Sequence, residues 1–327
     1  VSHRTVIAAV FTCLVVLLTA GCGTSPDTPS GPGHQLTDAT GKRVTVPSRP
    51  SRVVTLSEST LDGALALGVR PVATSGGRGQ PGVPAYLAER AKGIPLVGAL
   101  ASPSLEKITE ARPDLILTDG TALKDTAVLD KLRAIAPLAY VREAGADWRQ
   151  AFTMEAEALN KAGRARTVLA DFDRGLAATK GGLGNNGGSS VTIVRWTGKG
   201  PQLILREQPA GRIVSELGLR RPPAQDKDGP GHSVPVSLEN LDQLDADWIF
   251  FGALGGGGRQ GANAKKTTGD VGASQKALRQ ASAVPGFDRL HAVAAHHVVP
   301  VDGSAWTSAG GVLACTRILE DIGGALK

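Results

Sequence analysis

Aromatic residues make up only 4% of this 327-residue chain. That is too few for a platform on which single-stranded nucleic acid could stack. Cysteine is nearly absent, with three in all, so the chain cannot supply a disulfide framework or a four-cysteine zinc site. Charge of one sign is lacking too. Thirty-six basic residues against 30 acidic ones leave a net of +6, and no Lys/Arg block of the kind that follows a phosphate backbone interrupts the mixture. These absences exclude a nucleic-acid partner. Catalytic motifs are also missing. There is no Gly-x-x-x-x-Gly-Lys-Ser/Thr loop, no Gly-x-Ser-x-Gly elbow and no His-Glu-x-x-His, and the glycines at 76–79 and 255–258 lack dinucleotide-fingerprint spacing. His291, His296 and His297 are neighbours in sequence, but His296 and His297 lead into a strand and so point to opposite faces, which disfavours a metal site. His232 stands alone in a Pro/Gly loop and reads as a surface histidine. No nucleophile, base and orienting group assemble, so the chain reads as a non-enzyme without a metal or cofactor of its own.

What is present is a folding pattern. Apolar residues at 41% and charged residues at 20% are ordinary for a globular protein, and the length favours two domains. Short apolar runs alternate with helical stretches. Arg52–Leu56, Val69–Ala73, Asp114–Thr118 and Leu138–Val141 read as strands; Leu61–Leu67, Leu105–Ala111 and Leu123–Ile135 read as helices. The alternation resumes later with strands at Val191–Trp196, Leu203–Leu205, Trp248–Phe251 and Val298–Val301, and with helices at Gly211–Leu217 and Gly310–Ala325. Strands alternating with helices predict parallel sheets covered on both faces. Between the two series, Trp148, Phe152, Leu159, Ala162, Leu169, Phe172 and Leu176 fall on one stripe, which predicts a single long helix joining two lobes. The expected organisation is α/β: an N-terminal lobe over 39–146, a linking helix over 147–180 and a C-terminal lobe over 181–327, each lobe Rossmann-like.

The start of the chain has a different character. His3 and Arg4 precede an apolar run from Val6 to Ala20, too short for a transmembrane helix of about 20 residues. A basic start, an apolar centre and small residues before a break predict a secretory signal over 1–21. Its end, Leu18-Thr19-Ala20-Gly21-Cys22, resembles a lipobox, which would make Cys22 a lipidated residue and anchor the exported protein to the outer face of the membrane. The alternative is an ordinary export signal with an incidental cysteine. Residues 22–38 read as a flexible Gly/Ser/Thr/Pro-rich tether. Cys315 reads as a small core residue on the last helix. The segment 255–269 is rich in glycine and lysine and reads as a surface loop of open role.

One pattern recurs. Ser104-Leu105-Glu106 precedes Asp114-Leu115-Ile116-Leu117, and Ser237-Leu238-Glu239 precedes Asp247-Trp248-Ile249-Phe250 at the same interval. Each reads as a capped helix start leading to a buried strand. Glu106 and Glu239 in the first helical turn would gain from the helix dipole. As a matched pair on two lobes they would also suit docking to a two-fold partner.

The chain resembles the iron-siderophore and cobalamin-type substrate-binding proteins of ABC importers. The resemblance runs from about Leu36 to Ala325. It rests on Pro50-Ser51-Arg52-Val53-Val54-Thr55-Leu56 with Leu67-Gly68-Val69, on Ser104-Leu105-Glu106-Lys107-Ile108 with Arg112-Pro113-Asp114-Leu115-Ile116, on Ile135-Ala136-Pro137, on Ser237-Leu238-Glu239-Asn240-Leu241, and on Val301-Asp302 to Trp306. It implies two lobes joined by one long helix, slight hinge motion and a ligand cleft between the lobes. It implies that Glu106 and Glu239 contact arginines of a permease dimer and that the binding protein works as a monomer. It also implies a ferric siderophore as ligand, the iron arriving already chelated, with a cobalamin or haem binder as the alternative. Candidate contacts facing such a cleft are Ser57, Arg78 and Tyr140 from the first lobe, and Trp196, Arg206 and Trp306 from the second. So few arginines favour a ligand of low charge, hence a hydroxamate siderophore. An exported enzyme, or a sensor without a permease, on the same scaffold are further readings; the missing catalytic set counts against the first.

Overall fold

The computed structural model describes residues 33–327 apart from 198, 230–231 and 256–267. The signal segment, Cys22 and most of the 255–269 segment lie outside the described residues.

The folded chain starts earlier than the tether expectation allows. Strand β1 (Gly33–Thr37) pairs antiparallel with β2 (Arg43–Pro47), because Leu36 and Val46 alternate inward against the first lobe. The first sheet follows. It comprises β3 (Val53–Thr55), β4 (Ala73–Thr74), β7 (Leu115–Thr118) and β8 (Leu138–Tyr140), in the order β4-β3-β7-β8 and parallel throughout. Only the last residue of the expected Val69–Ala73 strand is in β4. A small hairpin, β5 (Gly98–Ala99) with β6 (Ser102–Pro103), lies between β4 and β7. The helices of this lobe are α1 (Glu58–Ala66), α2 (Leu105–Glu110) and α3 (Thr126–Arg133). Asp125 caps α3 by accepting from the Ala127 N–H, so α3 starts three residues after the expected Leu123. Side chains alternate across the sheet as strand geometry requires: Leu115 and Leu117 enter one core and Ile116 enters another, all fully buried.

The long linking helix is two helices. α4 (Trp148–Ala158) and α5 (Ala162–Gly182) are separated by a break at which Asn160 has φ +53° and donates from its side-chain amide to the Ser48 carbonyl (2.9 Å). Apolar periodicity carries across the break because Leu159 and Ala165 are both buried; Ala162, expected on the stripe, is exposed.

The second sheet runs β11-β10-β9-β12-β13. β9 (Val191–Thr197), β12 (Trp248–Ala253) and β13 (Val298–Val301) are parallel; β10 (Gly200–Ile204) and β11 (Ser233–Pro235) are antiparallel additions, so this sheet is mixed. α6 (Pro209–Glu216), α7 (Val271–Ala281), the short α8 (His291–Ala294) and α9 (Gly303–Trp306), and α10 (Val312–Ala325) complete the lobe. One core holds Val53 and Leu115 from the first sheet, Ile193 and Phe250 from the second, and Phe152, Phe172, Cys315 and Ile318 from α4, α5 and α10. The two sheets therefore share a hydrophobic interior. Among the described residues, no helix is long and apolar enough to cross a membrane.

Candidate ligand cleft

The carboxyl ends of the first sheet's strands converge on α9 and the segment leading into α10. This is where parallel α/β sheets place ligands. After β3 the chain turns into α1 through a capping box: the Ser57 hydroxyl accepts from the Thr60 N–H, and the Thr60 side chain reaches back to Ser57. That turn sets Glu58, almost fully buried, at the boundary between the sheets. Its carboxylate accepts from the Arg78 N–H (2.8 Å) and from the Ser308 hydroxyl. After β7, Asp119 accepts from the Thr121 N–H (2.9 Å), from the Ser59 hydroxyl and from Arg142 (3.3 Å). Burial opposes its charge, but Arg142 and the hydroxyl donors hold it below the usual carboxylate range. Arg142, just past β8, also donates across the boundary to the Ala309 carbonyl (3.4 Å).

From the second sheet comes Arg195, in β9. It donates to the Thr307 carbonyl and to the Gln202 side chain (3.2 Å). Burial and the neighbouring Arg78 push it down to about 10, with Glu58 acting the other way. Arg142 is thus paired with Asp119, while Arg195 lies within electrostatic reach of Arg78 and Glu58. At the mouth of this seam the backbones of Gly79 and Gly255 touch. A Cβ on Gly79 would lie 2.5 Å from the Gly255 carbonyl oxygen, and Gly79 has φ +62°, so only glycine fits. Beside this contact opens a cavity of about 850 Å³ lined by Trp196, Lys199, Leu238, Leu254, Gly255 and Lys276, among others. That size suits a small-molecule ligand, whose pockets span roughly 300–1,000 Å³.

Of the expected contacts, Trp196 lines this cavity, and Arg78 lies at the seam with its guanidinium donating to the Thr121 carbonyl (3.0 Å). Ser57 caps α1 instead and is buried among hydroxyls. The Tyr140 ring packs in the first lobe's core, and its hydroxyl turns to Glu143 (3.5 Å). Arg206 is held on the surface by Asp226 and Asp228, both at 3.4 Å. Trp306 is fully buried, stacked on Phe250 at 4.3 Å, and donates to Asp321 (2.8 Å). The polar groups that sequence reasoning missed are Arg142 and Arg195. Their signal was an arginine inside or directly after an apolar strand run.

Glu106 and Glu239 are exposed. Ser104 caps α2 by accepting from the Lys107 N–H (3.3 Å), as expected. Glu239 sits in a turn followed only by a 3-10 turn over Leu241–Leu244, so the second lobe has no helix matching α2. The repeat persists in the aspartates. Asp114 accepts from the Ser51 N–H (2.7 Å) and hydroxyl (2.9 Å), and Asp247 does the same for Ser190 at the same distances. His232 is not a free surface residue: its ring bonds to Glu207 (2.8 Å) against Gly145 of the first lobe. His297 donates to the Asp247 carbonyl (3.0 Å) and stacks on Trp248 at 4.0 Å. Among the described residues no cluster of three His, Cys, Asp or Glu could hold a metal.

Two α/β lobes sharing a core, with a polar seam between them and an aromatic-walled cavity where the second lobe's strands end, define a two-lobed binding protein. The comparisons agree. The model of the "Periplasmic binding protein" family matches residues 53–305, and the chain belongs to that family, whose members are binding proteins of transporters and not enzymes. It is 30% identical over 321 residues to the probable siderophore-binding lipoprotein YfiY of Bacillus subtilis, covering 94% of each chain. It is 26% identical over 319 residues to the Fe(3+)-citrate-binding protein YfmC of the same organism, covering 94% of this chain and 93% of that one. Its fold matches that of Staphylococcus aureus SirA complexed with staphyloferrin B, with a TM-score of 0.73 and 24% identity over 90% of this chain and 98% of that one.

Proposed function

We propose that this protein captures a ferric siderophore outside the cell and delivers it to an ABC importer. The observation that carries this reading is the Trp196-walled cavity of about 850 Å³ at the carboxyl ends of β9 and β12, with Arg195, Arg78 and Arg142 gathered at the neighbouring seam. A ferric siderophore brings its own iron ligands. The protein therefore has to supply an apolar wall and donors to chelate oxygens, and guanidinium forks suit oxygen anions. The names of the two bacterial relatives support an iron chelate over cobalamin or haem. The preference for a hydroxamate rested on a scarcity of arginines. With Arg142 and Arg195 at the seam, the argument moves towards chelates that carry carboxylates, alone or mixed with hydroxamates.

In this reading Cys22 carries the lipid that anchors the protein to the outer face of the membrane, and the protein works as a monomer. Glu106 and Glu239 fix its orientation on a permease dimer. Exposed ion pairs of that kind are worth at most about 1 kcal/mol each, so their part is register more than affinity.

Tryptophan fluorescence titration tests the ligand. Trp196 borders the cavity, so an iron chelate bound there quenches emission. The expected result is saturable quenching by ferric citrate or a ferric carboxylate–hydroxamate, and none by the iron-free forms. Quenching by haem or cobalamin alone would overturn the proposal, and quenching by ferric catecholates alone would overturn the carboxylate preference.

A further inference from the structure

Behind the seam lies a second, much smaller cavity of about 10 Å³, lined by Ser59, Val141, Arg142, Trp148, Ala151, Phe152, Glu155, Gly310 and Gly311. That is room for one water molecule. Three of these residues each bury a polar atom with no hydrogen-bond partner among the described residues: Arg142 Nε, Trp148 Nε1 and Glu155 Oε1. All three side chains are more than nine-tenths buried. None is free to turn elsewhere. The Trp148 ring is held between the Phe172 edge (5.0 Å) and the Arg149 guanidinium (4.5 Å). Arg142 is tied to Asp119 and the Ala309 carbonyl. The Glu155 carboxyl rests on Gly63, where a Cβ would come within 2.0 Å of Oε2. Burial, with Asp62 and Asp119 nearby, pushes Glu155 well above the usual carboxylate range.

The donor arithmetic selects the occupant. Two N–H groups need an acceptor with two lone pairs, and a carboxyl oxygen needs a donor. Water satisfies all three at once. A cation would face two N–H donors, one of them on a charged guanidinium, and a halide is larger than the space. We propose that Arg142, Trp148 and Glu155 hold one ordered water behind the ligand cleft, and that this water fixes the Arg142 side chain across the boundary between the lobes. Glu155 is then a positioning residue for Arg142. The inference does not depend on which ligand the cleft takes.

High-resolution crystals of the protein decide the first half. The expected result is density within hydrogen-bond distance of Arg142 Nε, Trp148 Nε1 and Glu155 Oε1. A dry cavity, a direct Glu155–Arg142 bond, or an anomalous peak there after a bromide soak would overturn it. Amide NMR of the wild type provides a second reading: the Trp148 indole N–H shows a cross-peak to a bound water, and its absence counts against the site. The second half is read from Arg142. Its Nε–H is protected from solvent exchange in the wild type and in Glu155→Gln, whose amide oxygen still accepts from the water. In Glu155→Met the water cross-peak is lost and Arg142 Nε–H exchange accelerates while the urea midpoint is measured alongside. Unchanged Arg142 exchange in a folded Glu155→Met protein would sink the positioning role. If that variant does not fold, Trp148→Phe, which also removes one of the water's partners, is read the same way, and unchanged Arg142 Nε–H exchange in it would overturn the claim that the water fixes Arg142.

Discussion

Arg195 occupies a strand position that its neighbours Val194 and Ile193 would lead one to fill with an aliphatic side chain. Removing a guanidinium from water costs several kcal/mol unless acceptors replace the hydration. Here a backbone carbonyl, a glutamine side chain and the nearby Glu58 do so only in part, and Nε has no hydrogen-bond partner among the described residues. A charge kept at such cost at the seam fits a ligand that completes its hydrogen bonds. Arg195→Gln is expected to weaken binding of ferric citrate about tenfold or more, from the loss of a charge-assisted bond of about 1.5–3 kcal/mol. Folding stability should be retained or rise, because a buried charge is gone. Titration and urea denaturation separate the two effects; unchanged affinity would remove Arg195 from the site. Asp62 makes a different prediction. It accepts from the Tyr86 hydroxyl (2.9 Å) and from the N–H groups of Gly311, Leu313 and Ala314, yet burial outweighs these bonds and raises it to about 6. A carboxyl raised on folding favours the native state below its unfolded pKa near 4, and that contribution is lost as pH climbs through 6. Two units correspond to about 3 kcal/mol. Relative to Asp62→Asn, the wild type should therefore lose stability between pH 4 and 7; urea midpoints for both proteins across that range check the slope.

At the scale of elements, the break between α4 and α5 is decided by one residue. Asn160 takes φ +53° and bonds to Ser48, so the chain can leave one helix axis and enter another. Asparagine tolerates that backbone region better than alanine. Asn160→Ala should lower stability by about 1–2 kcal/mol, and Asn160→Gly by less, in thermal unfolding. Periodicity alone did not show the break, because buried apolar residues fall on the stripe on both sides of it. The Ser51–Asp114 and Ser190–Asp247 clamps show the opposite case. Their aspartates were legible as a repeat before any fold was known. The helix expected to accompany the second copy was not formed: its glutamate lies in a turn, where its N–H donates to the Ser237 hydroxyl (3.3 Å), and the 3-10 turn that follows has no side-chain cap.

For the whole molecule, the shared core matters most. Phe152, Phe172 and Ile318 pack with residues of both sheets, so the lobes cannot separate without exposing apolar surface. His232 against Gly145, and Arg212 donating to the Gly145 carbonyl (3.0 Å), add polar ties between the lobes. Ligand binding should thus leave the radius of gyration from small-angle scattering unchanged within error; a resolvable contraction would show a hinge that this packing opposes. Docking belongs to the same scale. Glu106 and Glu239 lie on different lobes, and a nearly rigid frame would keep their separation constant. The double variant Glu106→Ala/Glu239→Ala should bind ferric chelate normally in solution and fail to support its uptake by cells. Normal uptake would discard the docking assignment.

The sequence by itself determined the class of fold, most strands and helices, the buried Cys315 and the aspartate repeat. All of these follow from local rules: periodicity, caps and breaks act within a few residues. It also carried the family likeness, which is a matter of order and spacing. Only the tertiary structure decided which polar residues meet. Trp196 lies near the end of a strand and Trp306 in a short helix just after one, yet the first borders a cavity and the second stacks on Phe250 inside the core. Arg206 looked free and is engaged by two aspartates, whereas Arg142 and Arg195 looked like strand neighbours and converge at the seam. Which side of a strand end faces the other lobe depends on how two sheets pack, and that packing joins residues more than a hundred positions apart, beyond the reach of any local pattern.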